Sequence, residues 1–192
     1  MTELRNIKVT AIGSVTGQGI DSSTQALETV NYEHHEIHGG GHFFVAGFET
    51  LASGASAQFQ VTTPDTTKWL HMSFEIGGTS QTEMYIYEGA VGSGVVITPF
   101  NNNRNASTTS DAIIWKNGSL SVPGTLIYAQ SKGMGGATPS KANTAGVTSS
   151  NNKELILKSG TTYNFNIMSA DADNVVTYYG GWYEHTDKVQ KF

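Results

Sequence analysis

The segment Trp69-Leu-His-Met-Ser-Phe-Glu-Ile76 decides the fold class of this chain. Its large apolar side chains at positions 70, 72, 74 and 76 alternate with Trp69, a histidine, a serine and a glutamate. A β-strand shows this period of two when one of its faces is buried, because successive side chains point to opposite faces. The segment therefore predicts a strand that packs one face against a hydrophobic core.

The same period recurs along the chain after Val30. Alternation marks Phe59–Val61, Met84–Tyr87 and Tyr163–Met168, and further strands are expected at His42–Phe48, Val95–Thr98, Ala112–Trp115, Gly124–Gln130, Glu154–Leu157 and Val175–Glu184. The 22 glycines, together with many Asn and Ser residues, supply the turns between these runs. Many short strands at this spacing predict an all-β protein, specifically a jelly-roll-like β-sandwich.

Two regions stand apart from the strands. Residues 1–30 combine one short alternating run with a Gly/Ser-rich stretch, and we interpret them as an extended N-terminal arm preceding a β-sandwich domain at residues 31–192. Gln130–Lys153 is rich in Gly and Ser and is predicted to be a long loop. Tyr163 follows the Ser159-Gly160 turn, where sandwich proteins often place a tyrosine whose hydroxyl bonds to the backbone.

Composition limits the classes of partner. The chain has no cysteine, which excludes disulfides and thiolate metal sites. No apolar run has the length of a signal-peptide core or of a membrane span, so we do not expect a membrane partner. Arg5 and Arg104 are the two arginines, and no dense basic stripe is present. Nucleic acid is therefore not an expected partner.

Four of the six histidines lie between His34 and His42. If this region were a strand, His34, Glu36 and His38 would project from one face, and His42 could fold back toward them after a Gly39–Gly41 turn. Imidazole and carboxylate groups in such a cluster can bind zinc or another divalent ion. The alternative, which we favour, is a polar strand edge or subunit contact. We assign no metal ligand, and whether His34, His38 and His42 bind a metal stays open.

The motifs of nucleophilic and glycosidic catalysis are missing from the sequence. It contains no Gly-x-Ser-x-Gly elbow and no recognisable carboxylate pair, so we expect no catalytic residue, no cofactor and no enzyme activity. Aromatic residues are the remaining signal: four of them crowd the last predicted strand, namely Tyr178, Tyr179, Trp182 and Tyr183. Trp69 and Trp115 are expected to lie outward or at strand ends. Such rings either stack on sugars or are buried in a core or a subunit interface.

Several segments together resemble small structural proteins of tailed bacteriophages. They are Tyr32-Glu-His-His-Glu-Ile-His, Gly41-His-Phe-Phe-Val, Thr63-Pro-Asp-Thr-Thr-Lys-Trp-Leu-His, Tyr87-Glu-Gly, Asn101-Asn-Asn-Arg-Asn and Trp182-Tyr-Glu-His. The resemblance extends over about residues 30–187. It implies a virion component, and within the virion a capsid decoration (cement) protein.

This resemblance carries further expectations. A decoration protein binds the major capsid protein at the outer head surface, and it is assembled in the host cytoplasm. We expect a homotrimer whose residues 1–30 reach neighbouring subunits, because an extended arm can add a strand to a sheet edge. Two alternatives remain. One is a phage fibre or spike domain that binds host-surface glycans through Gln130–Lys153 and exposed aromatics. The other is a metal-dependent enzyme centred on His34, His38 and His42.

Overall fold

A computed structural model describes residues 32–133 and 154–186 of the chain. Within these ranges there is one helix, α1 (Tyr32–Gly39), and eleven strands. The strands are β1 (His42–Leu51), β2 (Ser56–Thr62), β3 (Lys68–Gly78), β4 (Thr82–Glu88), β5 (Val91–Ile97), β6 (Phe100–Asn101), β7 (Ile113–Val122), β8 (Thr125–Lys132), β9 (Leu155–Leu157), β10 (Thr162–Ser169) and β11 (Asn174–Thr186). The predicted all-β sandwich is confirmed.

The strands form two antiparallel sheets. The five-stranded sheet has the order β6-β1-β11-β3-β9, and the six-stranded sheet has the order β5-β7-β2-β10-β4-β8. Without β5, β6 and β7, the two packed sheets have the strand orders β1-β11-β3-β9 and β2-β10-β4-β8. Consecutive strands then change sheet at nearly every step, which is the connectivity of a jelly roll.

Residues 91–122 are an insertion into this jelly roll between β4 and β8. β5 and β7 form a hairpin-like pair, and β7 adds it to the free side of β2. β6 pairs with β1 in the other sheet. The insertion therefore extends both sheets on the same side of the sandwich. The sequence predicts only two short strands in this insertion, Val95–Thr98 and Ala112–Trp115. Three glycines at positions 92, 94 and 118 interrupt the apolar pattern of the longer strands.

The core lies between the two sheets and follows the alternation. In β3, Leu70, Met72 and Ile76 are buried as the sequence predicts. The opposite sheet contributes the alternate positions of β2 and β10. These buried residues are Ala57, Phe59, Val61, Tyr163, Phe165 and Ile167. Since both sheets contribute one apolar face, burial of these faces is the main stabilising term.

Two polar side chains, Lys116 and Tyr163, link separate strands of the sandwich. Lys116 Nζ lies 2.5 Å from Glu49 Oε1 and donates to the Tyr178 hydroxyl at 3.1 Å, so an ion pair bridges β7 and β1 across the core. Tyr163 is the predicted corner tyrosine. Its hydroxyl accepts a hydrogen bond from the Lys158 backbone N–H at 2.9 Å and donates to Glu88 Oε2 at 2.9 Å.

Two expectations fall partly or wholly outside the described residues. The arm at residues 1–30 lies outside them, as does most of the predicted loop Gln130–Lys153. The first residues of that predicted loop, Gln130–Lys132, belong instead to β8, where they pair with Thr82–Met84. Backbone pairing extended the strand because β4 offers an unpaired edge there, a long-range effect that local composition does not reveal.

We predict that Tyr163→Phe lowers the free energy of unfolding by about 1–2 kcal/mol, because it removes both hydrogen bonds of the corner hydroxyl. Burial raises the pKa of Tyr163 to about 12. Unfolding then releases a proton between pH 10 and 12, so this hydroxyl makes the wild type lose stability as the pH rises through that window.

Urea unfolding at neutral pH and between pH 10 and 12 measures both effects. Tyr85→Phe is the matched control, since the Tyr85 hydroxyl donates to Glu83 near the surface and should matter less. Equal losses in the two variants, or an unchanged alkaline dependence in Tyr163→Phe, would contradict the structural role of the corner.

Candidate binding face

The outward face of the five-stranded sheet carries large apolar side chains from every one of its strands. We call the set the aromatic face: Phe44, Phe48, Trp69, Phe100, Ile156 and Tyr179. Phe44 and Phe48 share a side of β1 because they are an even number of residues apart, and Phe100 is the direct neighbour of Phe44 on β6. The same alternation places Trp69 and Ile156 on this side of β3 and β9.

Part of the aromatic face is held in place by ring contacts. The Phe44 ring lies 5.8 Å from that of Phe100 and 5.9 Å from that of Tyr179, between centroids. A Cβ added at Gly181 would lie 2.9 Å from the Tyr179 ring, so this ring lies directly over the glycine backbone. The Arg104 guanidinium is 5.2 Å from the Phe100 ring centroid, a cation–π distance. These contacts fix the orientation of the rings before any partner binds.

Four members of the aromatic face remain open to solvent. The exposed fractions are 72% for Phe48, 57% for Ile156, 53% for Phe100 and 41% for Trp69. Single exposed apolar residues are common on protein surfaces, whereas four of them on one face of a sheet, from β6, β1, β3 and β9, favour an interaction surface. The face can therefore bury substantial apolar area against a partner.

Helix α1 precedes this sheet. Its presence overturns the interpretation of Tyr32–Gly39 as a strand edge. The prediction that His34, Glu36 and His38 share one face of a strand is wrong, because these residues are helical. Gly40 has a φ of +74° and ends the helix. Its N–H donates to the Ile37 carbonyl, and the Gly41 N–H donates to the Glu36 carbonyl, which together form a Schellman motif. The glycine run predicted to form a turn therefore caps a helix at Gly40.

The helical geometry separates the predicted ligand set. His34 and His38 lie one turn apart, with 3.1 Å between their Nε2 atoms, while Glu36 lies off their side of the helix. His42 is buried on β1, and its Nε2 is 3.4 Å from Glu33 Oε1. Across residues 32–133 and 154–186, no three histidine, aspartate or glutamate side chains are arranged to hold a metal ion. The hypothesis of a metal centre at His34, His38 and His42 therefore gains no support from the described geometry.

A second histidine pair lies on the same side of the sheet and was not singled out in the sequence. His71 on β3 and His185 on β11 bring their Nε2 atoms to 2.8 Å from each other. His71 Nδ1 makes a very short contact with Glu154 Oε1, which also accepts from the Tyr183 hydroxyl at 2.8 Å. Their sequence separation of 114 residues hides the pair. The antiparallel pairing of β3 with β11 reveals it, because Tyr183 lies directly opposite His71.

The aromatic residues of the last strand divide between core and surface. Tyr178 and Trp182 point inward and are buried, and Tyr183 is also covered although it points outward. Trp69 is exposed, as the sequence predicts, and Trp115 is only half-buried. Both readings of the aromatics, core burial and an exposed stacking surface, therefore apply to different members of the set.

Glu184 is a structural residue that the sequence analysis missed. Its buried carboxylate accepts hydrogen bonds from Trp182 Nε1 at 3.1 Å and from the Ser110 hydroxyl at 2.5 Å. The backbone N–H groups of Asp111 and Ala112 donate to it as well, at 3.0 Å and 3.3 Å. The carboxylate thus anchors the segment that returns from β6 to β7. Nothing in the local sequence distinguishes it from the other glutamates.

Comparison of the chain with protein-family models, with curated proteins and with solved structures finds no match. Within the described ranges, no helix is long and apolar enough to cross a membrane.

We predict that His42 makes the protein less stable in mild acid. Burial lowers the pKa of His42 below 6.5, and this outweighs the opposing effects of Glu33 and Glu36. The unfolded chain then binds a proton that the folded chain does not, so the free energy of unfolding decreases as the pH falls below 6.5. Urea unfolding between pH 7 and 5 should show a shallower decrease for His42→Gln than for the wild type. Parallel curves for the two proteins would exclude His42 as the cause.

Proposed function

We propose that the chain is a non-enzymatic structural protein of a tailed-phage virion, a capsid decoration protein that binds the outer surface of the major capsid protein and stabilises the shell. The proposal joins two observations. One is the resemblance of the segments between residues 30 and 187 to phage structural proteins. The other, which carries the proposal, is the aromatic face, an exposed apolar surface on a rigid sheet.

The aromatic face suits the attachment of one protein to another. Aromatic side chains are enriched at protein interfaces, and a few of them usually account for most of the binding energy. Phe48 and Trp69 are both exposed on this sheet, opposite Thr177 and His185 of β11, so a partner that contacts both must span about 27 Å along the strands. Ile156 and Phe100 extend the apolar surface to the two edges of the sheet.

The rigidity of the sandwich favours the same role. The ion pair between Lys116 and Glu49 ties the two sheets together, and the Glu184 carboxylate holds the segment before β7. Antiparallel pairing continues through every described strand. A surface that is already ordered loses little conformational entropy on binding, so more of the contact energy appears as affinity.

Repetition of the site on a shell multiplies the effect of a modest interface. We propose a homotrimer that places three copies of the aromatic face on neighbouring capsid subunits. Each additional contact then forms at a high effective concentration, and the overall avidity exceeds the affinity of one copy. Residues 1–30 would add contacts to neighbouring subunits in this arrangement.

A fibre or spike domain that binds host glycans is the second candidate function. The observation that favours it is on the other sheet, where amide and aromatic side chains lie side by side on the outward face.

We predict that purified chain co-sediments with empty capsids of the phage that encodes it, and that Phe48→Ser and Trp69→Ser each weaken this binding. Truncation of an interface hot spot costs about 2 kcal/mol, or about 30-fold in the dissociation constant of one site. Both residues are exposed, so their substitution should leave the thermal stability nearly unchanged.

Val95→Ser is the matched control, because Val95 is 68% exposed on β5 of the other sheet. It should bind capsids as the wild type does. Failure of the wild-type chain to bind capsids, or its absence from purified particles, would overturn the proposed function. Binding that is lost in Val95→Ser but kept in Phe48→Ser would place the contact on the other sheet.

A further inference from the structure

Four amide side chains form a compact group on the outward face of the six-stranded sheet. We call it the amide row: Gln58 and Gln60 on β2, and Asn164 and Asn166 on β10. Gln60 lies directly opposite Asn164, and Gln58 directly opposite Asn166. These residues alternate with the buried apolar residues of β2 and β10, so their side chains point away from the core.

Aromatic side chains border the amide row on both sides. Trp115 of β7 is the cross-strand neighbour of Gln60. On the other side, Tyr87 and Tyr85 of β4 are the neighbours of Asn164 and Asn166. Directly opposite residues share a face of the sheet, so three rings flank the four amides on one surface.

Two glycines, Gly118 of β7 and Gly92 of β5, lie next to the Gln60 side chain. A Cβ added at Gly118 would lie 2.7 Å from Gln60 Nε2, and one added at Gly92 would lie 3.0 Å from both polar atoms of the amide. Glycine at these two positions of β7 and β5 therefore leaves room that Gln60 occupies next to Trp115. Larger residues would displace the amide from the face.

The amide row is covered, yet its hydrogen-bonding capacity is not used. Gln60 is 2% exposed and Asn164 is 1% exposed. Among the residues that the structure describes, five buried polar atoms of this group have no hydrogen-bond partner: Gln58 Oε1, Gln60 Nε2, Asn164 Oδ1, Asn166 Oδ1 and Trp115 Nε1. Buried polar groups in folded proteins are nearly always paired, so these atoms are available to hydrogen-bond a partner from outside the chain.

We propose that the amide row and its three flanking rings are a binding site for a neutral saccharide. The unpaired atoms include three carbonyl oxygens and two N–H donors, and a sugar hydroxyl can donate to the first and accept from the second. The apolar face of a pyranose ring packs on an aromatic side chain while its hydroxyl edge meets the amides. None of the seven side chains carries a formal charge, which favours a neutral ligand over a phosphate or a polyanion.

Binding at this site requires a local movement. Because Gln60 and Asn164 are almost fully covered, a ligand reaches their amides only after flanking side chains change rotamer. Such side-chain changes are common at binding surfaces and leave the strands in place. The site lies on strands β2, β4, β7 and β10. It does not depend on the capsid proposal, since it uses the opposite sheet.

The test is a titration of the ¹⁵N-labelled chain, followed by NMR, with oligosaccharides of glucose, mannose, galactose and N-acetylglucosamine at millimolar concentration. At least one of them should shift the indole N–H resonance of Trp115 and the side-chain amide resonances of Gln60 and Asn164 in a saturable way. The indole resonances of Trp69 and Trp182, on the other sheet, should not move. If no sugar shifts the Trp115 resonance, or if the shifts centre on Trp69, the proposal is wrong.

Two variants and a matched control locate the site. Trp115→Ala and Asn166→Ala should each weaken binding of the active sugar by about tenfold or more, the loss of one stacking or hydrogen-bonded contact. Trp69→Ala, an equally drastic change on the aromatic face, should bind the sugar as the wild type does. Asn166 is half-buried, so Asn166→Ala tests the site even if Trp115→Ala does not fold. Equal losses in Asn166→Ala and Trp69→Ala would overturn the proposal.

Discussion

Strand β11 is the constraint on which the rest of the structure depends. It lies between β1 and β3, and each residue of Asn174–Thr186 pairs with at least one of these neighbours. Its alternation fixes which side chains face the core and which face outward. Val176, Trp182 and Glu184 point inward, whereas Tyr179 and Tyr183 point outward. Because β1 and β3 are in register with it, the composition of both faces of the sheet follows from this strand.

The outward faces of the two sheets differ in chemistry because their strands carry different residue types at the outward-facing positions. On the five-stranded sheet these positions hold rings and histidines, and on the six-stranded sheet they hold amides flanked by rings. An unpaired buried polar atom costs about 1–3 kcal/mol, so five of them would cost about as much as the whole net stability of a typical domain. Hydrogen bonds from a ligand or from water to those atoms would therefore stabilise the fold. The exposed rings on the five-stranded sheet also cost free energy, because their apolar surface stays in contact with water.

Period-two alternation was sufficient to predict the sandwich and much of its core, because it reflects one buried face per strand. It identified Leu70, Met72 and Ile76, and the corner role of Tyr163 followed from its place after a glycine turn. Alternation failed at Tyr32–Gly39, where the helix depends on backbone bonds that close at Gly40. There the histidine spacing fits a strand as well as a helix, so composition could not choose between them.

The candidate sites were harder to predict than the fold, since they are assembled from residues far apart in the chain. His71 meets His185 only through the pairing of β3 with β11, and Gln60 meets Asn164 only through that of β2 with β10. Glutamine and asparagine at alternate strand positions also suggest plain solvent exposure, so the burial of Gln60 and Asn164 could not be anticipated. Exposure of Trp69 was predictable, but its location on the same side of the sheet as Phe48 and Phe100 required the strand order.

The central claim is that alternation about β11 gathers Phe48, Trp69, Phe100 and Ile156 on one face and that this face binds the shell. Hydroxyl-radical footprinting of the chain, free and bound to capsids, tests it most directly. In the free protein these four side chains should be labelled while Trp182 is not, and on capsids their labelling should fall while that of Val95 and Val96 persists. Labelling of Trp182 in the free protein would contradict the fold, and protection of Val95 and Val96 with continued labelling of Phe48 and Trp69 would contradict the binding face.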